Sequence, residues 1–320
     1  MKLARRTRYA PSPTGYLHLG HVAHLLYVWG AARAFGAEVI LRMEDHDRGR
    51  CRPEFEAAIL EDLDWLGFEA ANMVEPVSAY RQSDDADRYE AALKRLERQA
   101  HVYRCGCTRK QLAARVSPSA DGELPYDGRC RELGLAKGGI RVELDRGVES
   151  FVDGLLGEQS QDPSAQCGDL LLRDHAGQWT YQFAVTVDDL IHEVDLVVRG
   201  EDLLPSTGRQ IRLAKLLGRE RAALFLHHPL IRDDGGAKLS KKEASAPIRD
   251  MRRRGVPPQA VLGKAAQQVG LTSEAAPLER EALLERTAAR LLEACAWQRD
   301  YSASNLTPSI NKTPSTTKAT

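Results

Sequence analysis

The sequence predicts an α/β fold: a parallel sheet covered by helices, with an inserted module and a small helical C-terminal region. Three observations predict it. Short apolar segments alternate with longer amphipathic ones through the first two-thirds of the chain, the pattern of a parallel sheet covered by helices. The chain opens on a strand, a Pro/Gly turn and a helix start at residues 8–21, the local architecture of an anion-binding helix N-terminus. Residues 105–145 then break the pattern with cysteines, glycines and polar turns, as an insertion would.

Each element has its own signal. Residues 7–10 read as the first strand, and 19–35 as a helix with Val22, Leu25, Leu26 and Trp29 on one face and Gly36 as its stop. The apolar EVILRM at 38–43 reads as a second, buried strand. Residues 53–66 are amphipathic, with Phe55, Ile59, Leu63 and Leu66 in register and Gly67 ending the helix. Ser83 and Asp84 open another helix, continued by Tyr89, Leu93 and Leu96. The parallel-sheet pattern returns at 169–172, 181–188 and 196–200, followed by a helix at about 206–217. Two further helices are expected at 257–270 and 278–297, and the Ser/Thr/Asn/Lys/Pro-rich end beyond Arg299 has too little to bury to fold. The expected organisation is therefore a first catalytic half at 1–104, the module at 105–145, a second catalytic half at 146–245, a short helical region at 246–298 and a disordered tail at 299–320.

A length of 320 residues suits two or three domains. Lys plus Arg and Asp plus Glu are both 45, so net charge selects no partner, and any nucleic-acid contact must come from local cations. The local basic runs are Lys238, Lys241 and Lys242, then Arg249 and Arg252 to Arg254, which serve either as a solvated helix face or as phosphate contacts. There is no apolar run long enough for a membrane span and no signal-like start, so a cytoplasmic location without membrane association is expected.

The segment Arg8-Tyr9-Ala10-Pro11-Ser12-Pro13-Thr14-Gly15-Tyr16-Leu17-His18-Leu19-Gly20-His21 carries most chemical information. Gly20 permits close approach of a ligand to the backbone, and His18 and His21 offer hydrogen-bond donors to phosphate oxygens at the helix N-terminus. About 215 residues later stands Gly236-Ala237-Lys238-Leu239-Ser240-Lys241-Lys242, a lysine loop. Cys105 and Cys107 place two thiolates within reach of one ion, and Cys130 is a third candidate. Spacing does not identify the fourth ligand, for which His101 and water are both open; Cys51, Cys167 and Cys295 read as ordinary cysteines. Arg8, Arg199 and Glu44 stand at predicted strand ends, where a ligand crevice opens in such sheets, and an arginine fork suits a carboxylate.

The paired N-terminal and lysine-loop motifs resemble the two signatures of class I aminoacyl-tRNA synthetases, and the wording around His18 resembles the glutamate branch. Leucine at 19 stands where isoleucine is more usual, a conservative departure. The resemblance covers about residues 7–270. It implies a Rossmann-like class I synthetase catalytic domain with ATP held by His18, Gly20, His21, Lys238, Ser240 and Lys241, of which His18, His21 and Lys241 would be catalytic. It implies a glutamate pocket of Arg8, Ser12, Glu44, Tyr181 and Arg199, with Glu44 at the amino group and Arg199 and Tyr181 at the side-chain carboxylate. The module resembles that of the small glutamyl-Q tRNA(Asp) synthetases, which implies one structural Zn²⁺ on Cys105, Cys107, Tyr126 and Cys130. Mg²⁺ is implied with ATP.

About 80 residues follow Lys241, too few for a large anticodon-reading domain. The resemblance to the glutamyl-Q family therefore implies tRNA-independent activation of L-glutamate and its transfer to queuosine in the anticodon stem-loop of tRNA(Asp), by a monomer. Two other readings are a truncated glutamyl-tRNA synthetase charging the 3′ end of tRNA(Glu), and a nucleotide-binding or adenylate-forming protein that acts without tRNA.

Overall fold

The structure is a computed structural model; it describes residues 4–46, 49–73, 80–84, 86–231 and 246–295. The lysine loop, with Lys238, Ser240, Lys241 and Lys242, and the polar tail lie outside the described residues.

Strand β1 (Arg6–Tyr9) leads through the Pro/Gly turn into helix α1 (Leu19–Phe35), which returns by Gly36 in the left-handed conformation to strand β2 (Glu38–Met43). β1 and β2 are parallel, with Arg8 opposite Ile40. Helix α1 is buried nearly all round, which explains why its apolar residues do not keep to one face. Helix α2 (Pro53–Leu66) starts with proline and stops at Gly67, also left-handed, and strand β3 (Tyr80–Arg81) adds in parallel to β2. Helix α3 (Ala86–Glu97) then places Tyr89, Leu93 and Leu96 in a second core.

The chain next builds a separate antiparallel sheet. Strand β4 (Val102–Cys105) precedes the short helix α4 (Arg109–Ala113) and pairs with strand β5 (Gly139–Val142). Strand β6 (Glu149–Asp153) and its antiparallel partner β7 (Gly157–Gln161) lead through helix α5 (Pro163–Cys167) to strand β8 (Leu170–Arg173). β8 joins β5 antiparallel, so the segment read as a return to the parallel sheet completes the cysteine-bearing sheet instead.

The parallel pattern expected at 181–188 is helix α6 (Tyr181–Ile191). The β-branched Val185-Thr186-Val187 mimics a strand, but Phe183, Ala184 and Val187 all pack into the core shared with α3, a helical spacing. Strand β9 (Leu196–Gly200), helix α7 (Thr207–Leu216) and strand β10 (Leu224–His228) follow, with β10 parallel to both β9 and β6. Helices α8 (Ile248–Arg253), α9 (Pro258–Gln268) and α10 (Arg280–Ala294) end the described chain.

Strands β1 and β9 lie side by side, tied by the Asp195 N–H to the Arg6 carbonyl at 3.1 Å and by the Asp195 carboxylate accepting from Arg5 and Arg6 N–H. The spatial order β3-β2-β1-β9-β10-β6 therefore reverses direction between β1 and β9. A doubly wound sheet opens its ligand crevice at that switch point, beyond the carboxyl ends of the strands. The C-terminal helices pack into the same core as α1: Thr287 of α10 sits so close to Gly30 that a Cβ there would approach it to 2.5 Å. No helix of the described residues is long and apolar enough to cross a membrane.

Candidate active site

The turn after β1 delivers His18 as the N-cap of α1. Its Nδ1 accepts from the Gly20 N–H at 3.0 Å, while the His21 Nδ1 accepts from the His18 N–H at 3.1 Å, a reciprocal capping arrangement made by two imidazoles. Gly20 is required by this geometry, because a Cβ there would lie 2.8 Å from the His18 ring. Burial lowers the His18 pKa, and burial with the neighbouring His18 lowers that of His21 to about 3, so both rings are neutral at pH 7. With Nδ1 used as the acceptor, the proton of each ring sits on Nε2. Two Nε2–H donors thus stand beside a helix N-terminus, a combination suited to an anion.

Beyond the carboxyl ends of β1, β2 and β9 lies a buried charge network. Arg8, on β1, donates to the Asp189 carboxylate at 3.1 Å and to the Val198 carbonyl at 3.2 Å. Arg42, on β2, donates to the same Asp189 oxygen at 2.7 Å and to Glu44 at 3.0 Å. The two guanidinium groups hold the Asp189 carboxyl below its ordinary pKa against the opposing effect of burial. Removing Asp189 would leave two buried cations short of their shared partner, so its first role is to hold Arg8 and Arg42 in place. The Glu44 N–H bonds to the Pro11 carbonyl at 3.0 Å, which sews the exposed Ser12 segment to the end of β2.

Arg199, at the end of β9, is buried and differently supplied. Its Nε donates to His227 at 2.9 Å, Nη1 to Gln210 at 2.6 Å and Nη2 to Thr207 at 2.8 Å. Tyr181, at the start of α6, adds its hydroxyl as a fourth neighbour. Each of these groups is neutral, and among the described residues no carboxylate forms an ion pair with Arg199. Burial accordingly lowers the Arg199 pKa and raises that of Tyr181. Tyr181 is influenced by Arg199, Glu44, Arg8 and Asp189 together, so these side chains share one locality. His24, one turn beyond His21 on α1, is influenced by both His21 and Arg8 and links that locality to the imidazole pair.

Asp189, Arg42, Thr207, Gln210, His227 and Asp153 were not singled out from sequence. The available signals were an arginine inside the apolar EVILRM strand and a His-His pair closing the apolar strand β10.

The cysteine sheet carries a second constellation. The Sγ atoms of Cys105, Cys107 and Cys130 all lie within 4.8 Å of one another, and Cys107 and Cys130 are 3.6 Å apart. Four ligands on a tetrahedral Zn²⁺ with bonds of about 2.3 Å stand about 3.8 Å apart, so this spacing fits such an ion. The Tyr126 hydroxyl lies 3.8 Å from the Cys107 Sγ and accepts from the Cys130 N–H at 3.0 Å, on the same small volume. His101, the other candidate, faces Glu143 at 3.0 Å. Of the basic run, Arg252 pairs with Glu61 and Asp62, and Arg249 stacks on Tyr16 with its guanidinium 4.0 Å from the ring centre.

Residues 4–290 match the model of tRNA synthetases class I (E and Q), catalytic domain. The chain is 39% identical over 287 residues to a glutamyl-Q tRNA(Asp) synthetase of Nitratidesulfovibrio vulgaris, covering 85% of this chain and 88% of that protein. It is 38% identical over 264 residues to a glutamate–tRNA ligase of Legionella pneumophila, covering 80% of this chain and 55% of that one. Among solved structures, the glutamate–tRNA synthetase of Elizabethkingia anophelis superposes with a TM-score of 0.73 at 25% identity, over 96% of this chain and 75% of its own. The chain belongs to the class I tRNA synthetases of the glutamate and glutamine branch, and it is a ligase of that family.

Proposed function

We propose that the protein activates L-glutamate with ATP, without needing tRNA, and transfers it to the queuosine base in the anticodon loop of tRNA(Asp). The observation that carries the glutamate assignment is Arg199. Arg8 and Arg42 already share Asp189, whereas among the described residues Arg199 is a buried cation held only by neutral groups. A buried, unneutralised guanidinium is best satisfied by an anionic ligand, and a side-chain carboxylate is the group that distinguishes glutamate from its amide. Arg199 and Tyr181 take that carboxylate, Glu44 the ammonium, and Arg8 and Ser12 complete the pocket.

In the first step a glutamate α-carboxylate oxygen attacks the α-phosphorus of ATP, forming glutamyl-adenylate and releasing pyrophosphate. No enzyme nucleophile is required. The Nε2–H groups of His18 and His21 donate to phosphate oxygens as charge builds, Gly20 gives the nucleotide access to the backbone, and Lys238, Ser240 and Lys241 supply further contacts to the nucleotide. ATP is bound together with Mg²⁺. In the second step a hydroxyl of the queuosine cyclopentene diol attacks the adenylate carbonyl, forms the ester, loses its proton and expels AMP. The queuosine acceptor is supported by the match along 88% of a relative that carries that name. The protein acts as a monomer in the cytoplasm.

Cys105, Cys107, Cys130 and Tyr126 hold one structural Zn²⁺ that fixes β4 against the loop before β5. Purified protein should carry one equivalent of zinc by elemental analysis, and Cys105→Ser/Cys107→Ser should carry almost none. Full zinc in that variant would move the site elsewhere.

The function is tested by ATP-dependent transfer of labelled glutamate to tRNA(Asp) with and without queuosine, beside tRNA(Glu). Label confined to the queuosine-bearing tRNA is the expected result. Label on tRNA(Glu) would make this a glutamyl-tRNA synthetase, which the likeness to the Legionella ligase also accommodates. Label on none would favour an activity without tRNA.

A further inference from the structure

Asp153, His227 and Arg199 form a line across three neighbouring strands, β6, β10 and β9. Asp153 is the last residue of β6 and fully buried. Its Oδ1 accepts from the Leu155 and Leu156 N–H groups at 3.0 Å each and from the His227 N–H at 3.3 Å. These donors commit Oδ1 as an acceptor and leave Oδ2 to face the His227 Nδ1 at 2.6 Å. A carboxylate only accepts, so the His227 proton is on Nδ1, and Nε2 is left as the lone pair that receives the Arg199 Nε–H. His227 stands opposite Arg199 in the β10–β9 register, so backbone pairing enforces this contact.

We infer that Asp153 and His227 are positioning residues for the substrate carboxylate. They hold the Arg199 guanidinium through a neutral acceptor of fixed tautomer and leave its charge and remaining N–H groups for the ligand. A carboxylate bonded directly to Arg199, as Asp189 is to Arg8 and Arg42, would compete with the ligand. One imidazole removed, Asp153 orients without competing. The inference rests on the reading that Arg199 receives the glutamate side chain.

Asp153→Asn tests it. Because three backbone donors hold the Oδ1 position, the new amide nitrogen takes the place of Oδ2 and donates to the His227 Nδ1. His227 must then carry its proton on Nε2, where it opposes the Arg199 Nε–H and can turn to the Thr207 hydroxyl 3.2 Å away, so the Arg199 Nε–H loses its acceptor. ¹⁵N NMR should show a bare His227 Nε2 in the native protein and a bare Nδ1 in the variant. The Kd for glutamate, by direct titration, should rise about 10- to 100-fold, the usual loss of a hydrogen bond to a charged group. The Kd for ATP should stay within about twofold, as expected of a site that this hydrogen bond does not touch, and preference for glutamate over glutamine should fall. A second pair covers failure of Asp153→Asn to fold: His227→Gln, whose amide can donate to Asp153 and accept from Arg199, should keep most of the affinity that His227→Leu loses. Native glutamate affinity and selectivity in Asp153→Asn or His227→Leu, or a native His227 protonated on Nε2, would overturn the inference. Failure of the underlying reading shows separately: Arg199→Lys would then leave glutamate binding unchanged, whatever tautomer His227 displays.

Discussion

Replacing Arg199 by alanine is expected to lower kcat/KM for glutamate activation by roughly 30- to 5,000-fold, the range for truncating one partner of a buried charge pair, about 2–5 kcal/mol. The loss should fall on glutamate and spare ATP, because Arg199 is bonded to His227, Gln210 and Thr207 and not to the imidazole pair at α1. Relative activity toward glutamine should rise, since the buried cation that favours a carboxylate over an amide is gone. Steady-state pyrophosphate exchange, with glutamate and ATP varied in turn, reads both effects. Equal increases in the two KM values would remove Arg199 from the amino-acid pocket and return the site to a purely electrostatic role.

The second large effect is expected at the imidazole pair. Asparagine in place of His21 keeps an acceptor near the Nδ1 position that caps His18, and removes the Nε2–H. Such a variant separates folding from chemistry: the helix start survives while one donor to the developing phosphate charge is lost. Adenylate formation should drop roughly 10²- to 10³-fold, as on removal of one preorganised donor, with thermal stability nearly unchanged. His18→Asn makes the parallel test at the N-cap, where Nδ1 accepts from Gly20. Single-turnover formation of adenylate is the measurement. A His21→Asn rate within twofold of native would assign the histidines to capping alone.

Much of this arrangement is legible before folding. The bounds of α1 and α2 follow from local chemistry, since Gly36 and Gly67 adopt the left-handed conformation that terminates each helix and Pro53 suits a first turn. The apolar EVILRM run announces a buried strand for the same local reason. The helix at 181–191 was less legible, because Val185, Thr186 and Val187 suit either a strand or a buried helix face, and packing on α3 and α7 decides between them. Likewise the strand at 170–173 has the same apolar content in a parallel or an antiparallel sheet; only its partner, β5, sets the direction.

The sequence by itself determined the strand–turn–helix of the N-terminal motif, the stops of its helices and the residue types offered to a ligand. Those depend on interactions within a few residues. The tertiary structure alone decided which charges are neutralised and which are left open. Asp189 lies 181 residues from Arg8 and 147 from Arg42, and Asp153 lies 74 from His227, so no local pattern announces their pairing. Burying these groups in a low-dielectric crevice makes each pairing decisive: Arg8 and Arg42 share the Asp189 carboxylate, whereas among the described residues no carboxylate pairs with Arg199.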